Sequence, residues 1–358
     1  MAFLPLFIAL AGLLVGGCIR SSSEGGNAGD EIKQLPIKHE GIKPDLTGKI
    51  QVDGSSTVYK ISQLAAEEFA SVAKNVEVSV GYVGTGGGFK SFPDPAKQLD
   101  VCDASRPIQQ NELDQCVKNG VKFLELPIGI DAITIVVNTK NDFLHDITLG
   151  ELQKLWAPGT DGKGEVAKWS QVRQGWPDKS VALFGADSAS GTFEYFNEAV
   201  QHDKKKTRSD YTANPNDNIL IQGVERNSYA LGYIPYAYYV PRKKTLRAVK
   251  IKLRDGDEGV EPTPQTITSG GYHPFARPLF IYVNLKSLER PEVDAFAQFY
   301  IENAGALANN AGYIALDDAI YTRVRQRLAK RELGTAFGGT LQEDMNLTAI
   351  MDLPVKYP

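Results

Sequence analysis

Three clusters of small residues interrupt the chain, each where a stretch with the pattern of a β-strand ends. Gly54-Ser55-Ser56-Thr57 follows the strand-like 50–53, and Gly84-Thr85-Gly86-Gly87-Gly88 follows Val76, Val78, Val80 and Tyr82 at alternate positions. Ser188-Ala189-Ser190-Gly191-Thr192 follows a short apolar run at 181–184. The first and third clusters lead into helical spacing. Ile61, Leu64, Ala65, Phe69 and Val72 share one helical face after the first, and Phe193 opens an aromatic-rich stretch after the third. Strand, small-residue turn and helix in succession specify an α/β fold with parallel sheet built from βαβ units. In such sheets ligands lie beyond the carboxyl ends of strands, where helices begin.

The rest of the chain fits that frame. Residues 99–105 read as a strand running into a Ser105-Arg106-Pro107 turn, and 133–137 as another strand. Thr148 and Glu151 have the spacing of a capping box ahead of Leu152 and Leu155. Helical patterns recur at 292–302 and 317–333, and there is no internal repeat.

A helix start offers unpaired N–H groups and a partial positive charge of about half a unit. Glycine lets a backbone approach a ligand closely, and Ser and Thr add hydroxyl donors without bulk. Together these features bind anions, phosphate above all. The ordinary role of a Ser or Thr before a helix is an N-cap. Three clusters at equivalent places exceed what capping requires. Arg106 adds a full charge with a fork suited to phosphate oxygens.

Other chemistries lack their parts. Residues 185–191 read Gly-Ala-Asp-Ser-Ala-Ser-Gly, which is not a G-x-S-x-G nucleophile elbow. The four histidines, His39, His145, His202 and His273, have no metal-ligand spacing. Ser71 and Lys74 match S-x-x-K only formally, inside a patterned helix, and no Walker A sequence occurs. No metal, cofactor or enzymatic activity is expected. A net charge of −4 over 358 residues supplies no basic field for nucleic acid, so an anion must be captured by local donors.

The N-terminal run ends Val15-Gly16-Gly17-Cys18, a short apolar segment with small residues before a cysteine. It reads as an export signal, residues 1–18, of the bacterial lipoprotein type, in which Cys18 becomes the lipidated first residue. Residues 19–47 open with a polar Gly/Ser-rich stretch and are expected to form a flexible tether. Cys102 and Cys116 are an even pair, and an oxidising compartment would allow a disulfide between them.

The segments DGSSTVYKI (53–61), GTGGGFKSF (84–92), DASRPI (103–108), PIGIDAITIVVN (127–138), SGTFEYF (190–196), RSDYTANPNDNILIQGV (208–224) and ALGYIPYAYY (230–239), in this order, resemble PstS-type phosphate-binding proteins, and closely their SphX-like subgroup. The resemblance covers about residues 48 to 335. It implies a type II periplasmic-binding-protein fold, with two α/β lobes joined by hinge strands and the ligand cleft between them. Lobe one is expected at 48–130 plus 278–340, lobe two at 131–277, with crossovers near 126–138 and 271–283 and a C-terminal tail at 341–358. The implied function is extracytoplasmic binding of inorganic phosphate by a monomeric, lipid-anchored receptor. That receptor would serve the permease and ATPase subunits of an ABC transporter.

By motif, Ser56, Thr57 and the Val58 N–H would donate from the first cluster, Thr85, Gly86 and Gly87 from the second, and Ser190, Gly191 and Thr192 from the third. Relatives keep an acceptor Asp where this chain has Ser105-Arg106, and an Arg where it has Ala186-Asp187. The charge role therefore falls to Arg106, with Arg208 as second candidate. Asp53, Asp103, Asp187 and Asp210 stay open as the acceptor for a phosphate proton. Receptors for other oxyanions and a phosphate-ester hydrolase using the same cradle are the competing readings.

Overall fold

The computed structural model describes residues 35–188, 190–339 and 353–358. Cys18 and the apolar run before it lie outside them. The first part holds β1 Thr47–Gly54, α1 Tyr59–Val72, β2 Asn75–Val80, α2 Thr85–Ser91, β3 Val101–Ala104, α3 Gln110–Lys118 and β4 Phe123–Asn138. Next come β5 Asp146–Thr148, α4 Leu149–Trp156, β6 Ala182–Gly185, α5 Gly191–Gln201, β7 Thr212–Ala213, α6 Asp217–Glu225, β8 Ala230–Pro235 and α7 Tyr236–Tyr239. The last part holds β9 Leu246–Ala248, β10 Lys250–Lys252, α8 Pro264–Thr268, β11 Ala276–Asn284, α9 Pro291–Glu302, α10 Ala304–Asn310 and α11 Asp318–Lys330.

Local signals explain many of these limits. The capping box forms as spaced: Thr148 Oγ1 accepts from the Glu151 N–H at 3.1 Å, and Glu151 returns a carboxylate to the Thr148 N–H at 2.9 Å. Leu152 and Leu155 are then the buried face of α4. The glycine cluster is more than a turn, because Thr85–Ser91 is itself a short helix. Gly84, with φ of +85°, turns the chain into it. Gly88 lies where a Cβ would come within 2.7 Å of the Gly54 Cα, so only glycine lets the two clusters touch.

The main sheet has the order β2-β1-β3-β11-β4-β8-β6-β7, with β9 also on β4. β1 runs parallel to β2 and β3, and β6 runs parallel to β7 and β8. The centre is antiparallel, which corrects the expectation of βαβ units alone. β4 pairs with β11 from Phe123 to Ala132 and with β8 from Ile133 to Val137. One strand thus belongs first to one group of strands and then to the other, and β11 runs back beside it. A chain that crosses once and returns must place those two strands in opposite directions. All 16 residues of β4 are buried, as expected of a strand covered on both faces.

Both ends of the described chain are fastened to lobe one, formed by β1, β2, β3, β11 and the first part of β4. Asn310 accepts from the Leu35 N–H at 2.9 Å and donates to the Leu35 carbonyl at 3.0 Å. Asn303 does the same with Lys38, at 2.7 and 2.9 Å. Residues 35–38, read as part of a flexible tether, are therefore docked. Two side-chain amides stand in for a neighbouring strand. At the other end, Lys356 and Thr335 exchange backbone hydrogen bonds of 3.0 Å, and Tyr357 packs edge-on against Phe123.

Cys102 and Cys116 are both buried and both free, so the disulfide that an oxidising compartment would allow is absent from this structure. Cys102 lies beneath the glycine cluster, where a Cβ on Gly88 would meet its sulfur at 2.9 Å, and Cys116 is on the buried face of α3. Burial pushes the Cys116 thiol up to about 12 and the Cys102 thiol up as well. Unreactive packing is what such an environment favours.

Asp103 on β3 is fully buried, and among the described residues neither carboxylate oxygen has a hydrogen-bond partner. Ser62 lies beside it, but its hydroxyl is shared with Tyr300 Oη at 3.0 Å. Burial drives the Asp103 carboxyl well above its ordinary range, with Ser62 offsetting part of the effect. A folded-state pKa above the unfolded one means stability falls as pH rises from the unfolded value toward the folded value. Asp103→Asn removes the ionisation. Its stability relative to the parent should therefore improve from pH 4 to pH 8, by about 1.4 kcal/mol per unit of pKa shift. Urea melts of both proteins across that range measure it, and a pH-independent difference would contradict the account.

Candidate functional site

The first cluster is built from β1 inward. Gly54 has φ of +139°, and a Cβ there would strike the Asp103 carbonyl. Ser55, not among the expected donors, caps the turn: its N–H reaches the Asp103 carbonyl at 2.9 Å. Its Oγ accepts from the N–H groups of Thr57 and Val58, at 3.2 and 3.4 Å. The Val58 N–H is thus engaged within the turn, and Val58 itself is buried. Tyr313 Oη donates to the Thr57 carbonyl at 2.8 Å and fixes the start of α1 from behind.

The second cluster is tied to the first and to the Ser-Arg-Pro turn. Asp53 Oδ1 accepts from the Gly54 N–H at 2.8 Å and the Val83 N–H at 3.1 Å, holding both turns. Thr85 Oγ1 accepts from the Ser105 N–H at 3.2 Å and lies 3.1 Å from Ser105 Oγ. Gly86 faces the turn, with its Cβ direction 3.9 Å from Arg106 Nη2, while Gly87 packs against Val83.

The third cluster is shaped by tyrosines. A Cβ on Gly185 would overlap the Tyr233 ring, and Tyr211 and Tyr233 both donate to the Ala186 carbonyl, at 2.9 and 3.3 Å. The Asp187 carboxylate lies near these two phenols and helps push both up, after burial and, for Tyr233, also after Tyr211. The Asp187 carbonyl accepts from the Ser190 N–H at 3.0 Å, and Ser190 Oγ accepts from the Thr192 N–H at 3.2 Å. From there α5 begins. Gly191 presses directly on the first cluster: a Cβ would lie 2.6 Å from Thr57 Oγ1 and 3.3 Å from Ser56 Oγ. Two helix starts about 130 residues apart in sequence meet, and the cleft between lobes is shut.

Arg106 reaches this place but is already paired. It forms a two-pronged bond to Glu112, at 2.7 and 2.8 Å, and lies 5.5 Å over the Phe89 ring. Arg208 does not reach it. Its guanidinium is buried against Gly164, donates to the Leu155 and Val166 carbonyls at 2.9 and 3.0 Å, and pairs with Asp210. That pairing holds the Asp210 carboxyl down to about 2, so neither residue serves the cleft. Asp103 and Asp53 are likewise committed, one to the interior and one to the turns.

A third arginine stands at the cleft that the sequence reading left without a role. Arg277, on β11, faces Asp131 directly across the β4–β11 ladder and pairs with it at 3.2 Å. Its Nη2 also donates to Thr57 Oγ1 at 3.0 Å. Asp131 is buried, and burial raises its carboxyl against the opposing pull of Arg277. The available signal was a lone acid inside the apolar run PIGIDAITIVV, since a charge buried on both faces needs a partner. A recess of about 230 Å³ opens beside Thr85, Ser105, Arg106 and Arg277. Among the described residues no group of His, Cys, Asp or Glu could hold a metal ion.

A family model described as a PBP superfamily domain matches residues 38–304. Protein SphX of Synechococcus elongatus is 40% identical over 290 residues, covering 81% of this chain and 84% of that protein. The chain belongs to the PBP superfamily, in the family of SphX and PstS. The phosphate-binding protein PstS of Staphylococcus haemolyticus is 36% identical over 278 residues, 77% of this chain and 84% of its own. Among solved structures, that of a possible phosphate binding protein from Planctomyces limnophilus superposes with a TM-score of 0.75. It has 47% identity and covers 80% of this chain and 99% of that one. An ABC-type phosphate transport receptor from Vibrio cholerae, at 21% identity and a TM-score of 0.57, shares the fold, covering 75% of this chain and 99% of that one. The family fold is the type II arrangement of two α/β lobes about a cleft.

The contact at Gly191 gives a direct test of the shut cleft. Gly191→Ala places a methyl group into Thr57 Oγ1 and should hold the lobes apart without touching either core. Small-angle scattering should show a larger radius of gyration than the parent, with an unchanged melting temperature. An equally compact variant would contradict the contact.

Proposed function

We propose that the chain binds inorganic phosphate outside the cytoplasm and delivers it to the permease and ATPase subunits of a phosphate ABC transporter. The observation that carries this reading is the meeting of Ser56 and Thr57 with Gly191 across the cleft, beside the Thr85–Ser105 pair. In this reading lobe one spans 48–130 and 278–340 and lobe two spans 131–277. Ser56, Thr57, Thr85, Gly86, Ser105, Ser190, Gly191 and Thr192 surround the anion. The names of the relatives, phosphate-binding protein among them, support the ligand class.

The hydroxyls suit the task. Thr57 Oγ1 accepts from Arg277, Thr85 Oγ1 from the Ser105 N–H and Ser190 Oγ from the Thr192 N–H. With an acceptor site filled from within, Thr57 and Ser190 each keep a hydrogen to offer an anion, and the Thr85–Ser105 pair of hydroxyls keeps one between them. Arg106 supplies charge from the recess wall, its pairing with Glu112 fixing the fork. No chemistry is performed; lobe closure around a desolvated anion is the whole mechanism. We further propose that the receptor is a monomer, anchored through a lipid on Cys18 after cleavage between Gly17 and Cys18. Among the described residues no helix is long and apolar enough to cross a membrane.

Titration calorimetry of the purified protein should show tight binding of phosphate and weak or no binding of sulfate. The reverse preference would overturn the ligand assignment. Arg106→Ala removes a charged donor and leaves the Glu112 carboxylate unpaired beside the anion. Affinity should fall at least about tenfold, since a hydrogen bond to a charged group contributes roughly 1.5–3 kcal/mol. A chromogenic phosphate ester should release no product, and steady turnover would favour a hydrolase.

A further inference from the structure

Tyr195 and Arg277 form a contact that the anion cradle does not itself require. Tyr195 lies on α5, the helix whose start carries Ser190 to Thr192. The Arg277 guanidinium carbon stands 3.7 Å from the centre of the Tyr195 ring, stacked on its face. Tyr195 Oη donates to the Pro274 carbonyl at 2.7 Å, three residues ahead of Arg277. The ring is buried and anchored at its far edge, and so cannot swing away from the guanidinium. From the other side Arg277 donates to Thr57 Oγ1 at 3.0 Å, and Asp131 holds the rest of its fork at 3.2 and 3.3 Å. One planar cation thus touches the helix of lobe two, the hinge strand β4 and the first turn of lobe one.

The geometry points to Tyr195 and Arg277 as a closure latch. Both are positioning residues: Arg277 orients the Thr57 hydroxyl as a donor, and Tyr195 fixes Arg277 in the plane that allows it. Opening the cleft separates Thr57 from α5, so it breaks either the Arg277–Thr57 bond or the Tyr195–Arg277 stack. The latch therefore stabilises the shut form alone and slows release of a bound anion, leaving the approach of the anion to the open form unaffected. A guanidinium is suited to this place because it stacks on an aromatic face while bonding sideways to a carboxylate and a hydroxyl. A lysine ammonium, a point charge on a flexible stem, cannot do both.

This inference rests on the phosphate-receptor reading, and the experiment separates the two. Phosphate association and dissociation rates are measured for the full-length parent and for Tyr195→Leu, Tyr195→Phe and Arg277→Lys, with thermal melts to confirm folding. Tyr195→Leu should release phosphate about three- to thirtyfold faster, the range of a desolvated cation–π contact, with association changed less than about twofold. Tyr195→Phe keeps the stacked face and should stay close to the parent. Arg277→Lys keeps the charge and should lose retention as Tyr195→Leu does. If Tyr195→Leu does not fold, the contrast of Arg277→Lys with Tyr195→Phe decides alone. A parent that binds no phosphate would sink the receptor reading. A parent that binds, with Arg277→Lys releasing at the parental rate, would sink the latch and leave the receptor reading intact.

Discussion

The pair of Asp131 and Arg277 lies on β4 and β11, the two strands that carry the chain across between the lobes and back. It sits opposite itself in the ladder, one member on each crossing strand. A buried charge pair of this kind adds little net stability, because desolvation offsets the attraction. What it adds is specificity of arrangement. A slip of β11 along β4 by one residue would leave Asp131 facing an apolar neighbour with its charge unpaired, a cost of several kcal/mol. The register of the hinge, and through it the facing of α1 and α5, is tied to this one contact. The cleft closes at a defined place because the strands beneath it cannot drift.

The cleft itself works by direction of hydrogen. Ser and Thr oxygens can accept as well as donate, and a cradle of uncommitted hydroxyls would hold water as readily as an anion. Here internal N–H groups and one guanidinium occupy acceptor sites on Thr57, Thr85 and Ser190. The polarity of the site is set before any ligand arrives. Such preorganisation removes part of the ordering cost of binding. The same logic explains the glycines: Gly54, Gly88 and Gly191 stand where backbones or hydroxyls approach too closely for a side chain.

Much of this could be read in advance, and the failures have physical causes. Strand-turn-helix punctuation marked the clusters at 54–57 and 188–192, and the helices at Tyr59–Val72 and Gly191–Gln201 follow them. The capping box at Thr148 and the helix Pro291–Glu302 were equally legible, being local patterns. Arg277 was not, because its partners Thr57, Asp131 and Tyr195 are far away in sequence and no periodicity joins them. Arg106 and Arg208 look alike as letters; only the fold shows one forking onto Glu112 at the cleft and the other spent on Leu155, Val166 and Asp210. The glycine run at 84–88, expected as a turn at a strand end, instead opens a short helix, because tight packing on Gly54 overrides the weak helix propensity of glycine. Residues 35–38 look like linker by composition, and two asparagines on distant helices give them a place.

Those asparagines also decide where force enters the molecule. Asn303 and Asn310 grip the backbone at Lys38 and Leu35 from either end of α10, a helix that packs on β4 with Ala308 against Gly129. A pull along the N-terminal segment is therefore carried into the body of lobe one, through the helix that lies on the crossing strand. In the proposed anchored receptor, that helix makes lobe one the fixed jaw against which lobe two swings.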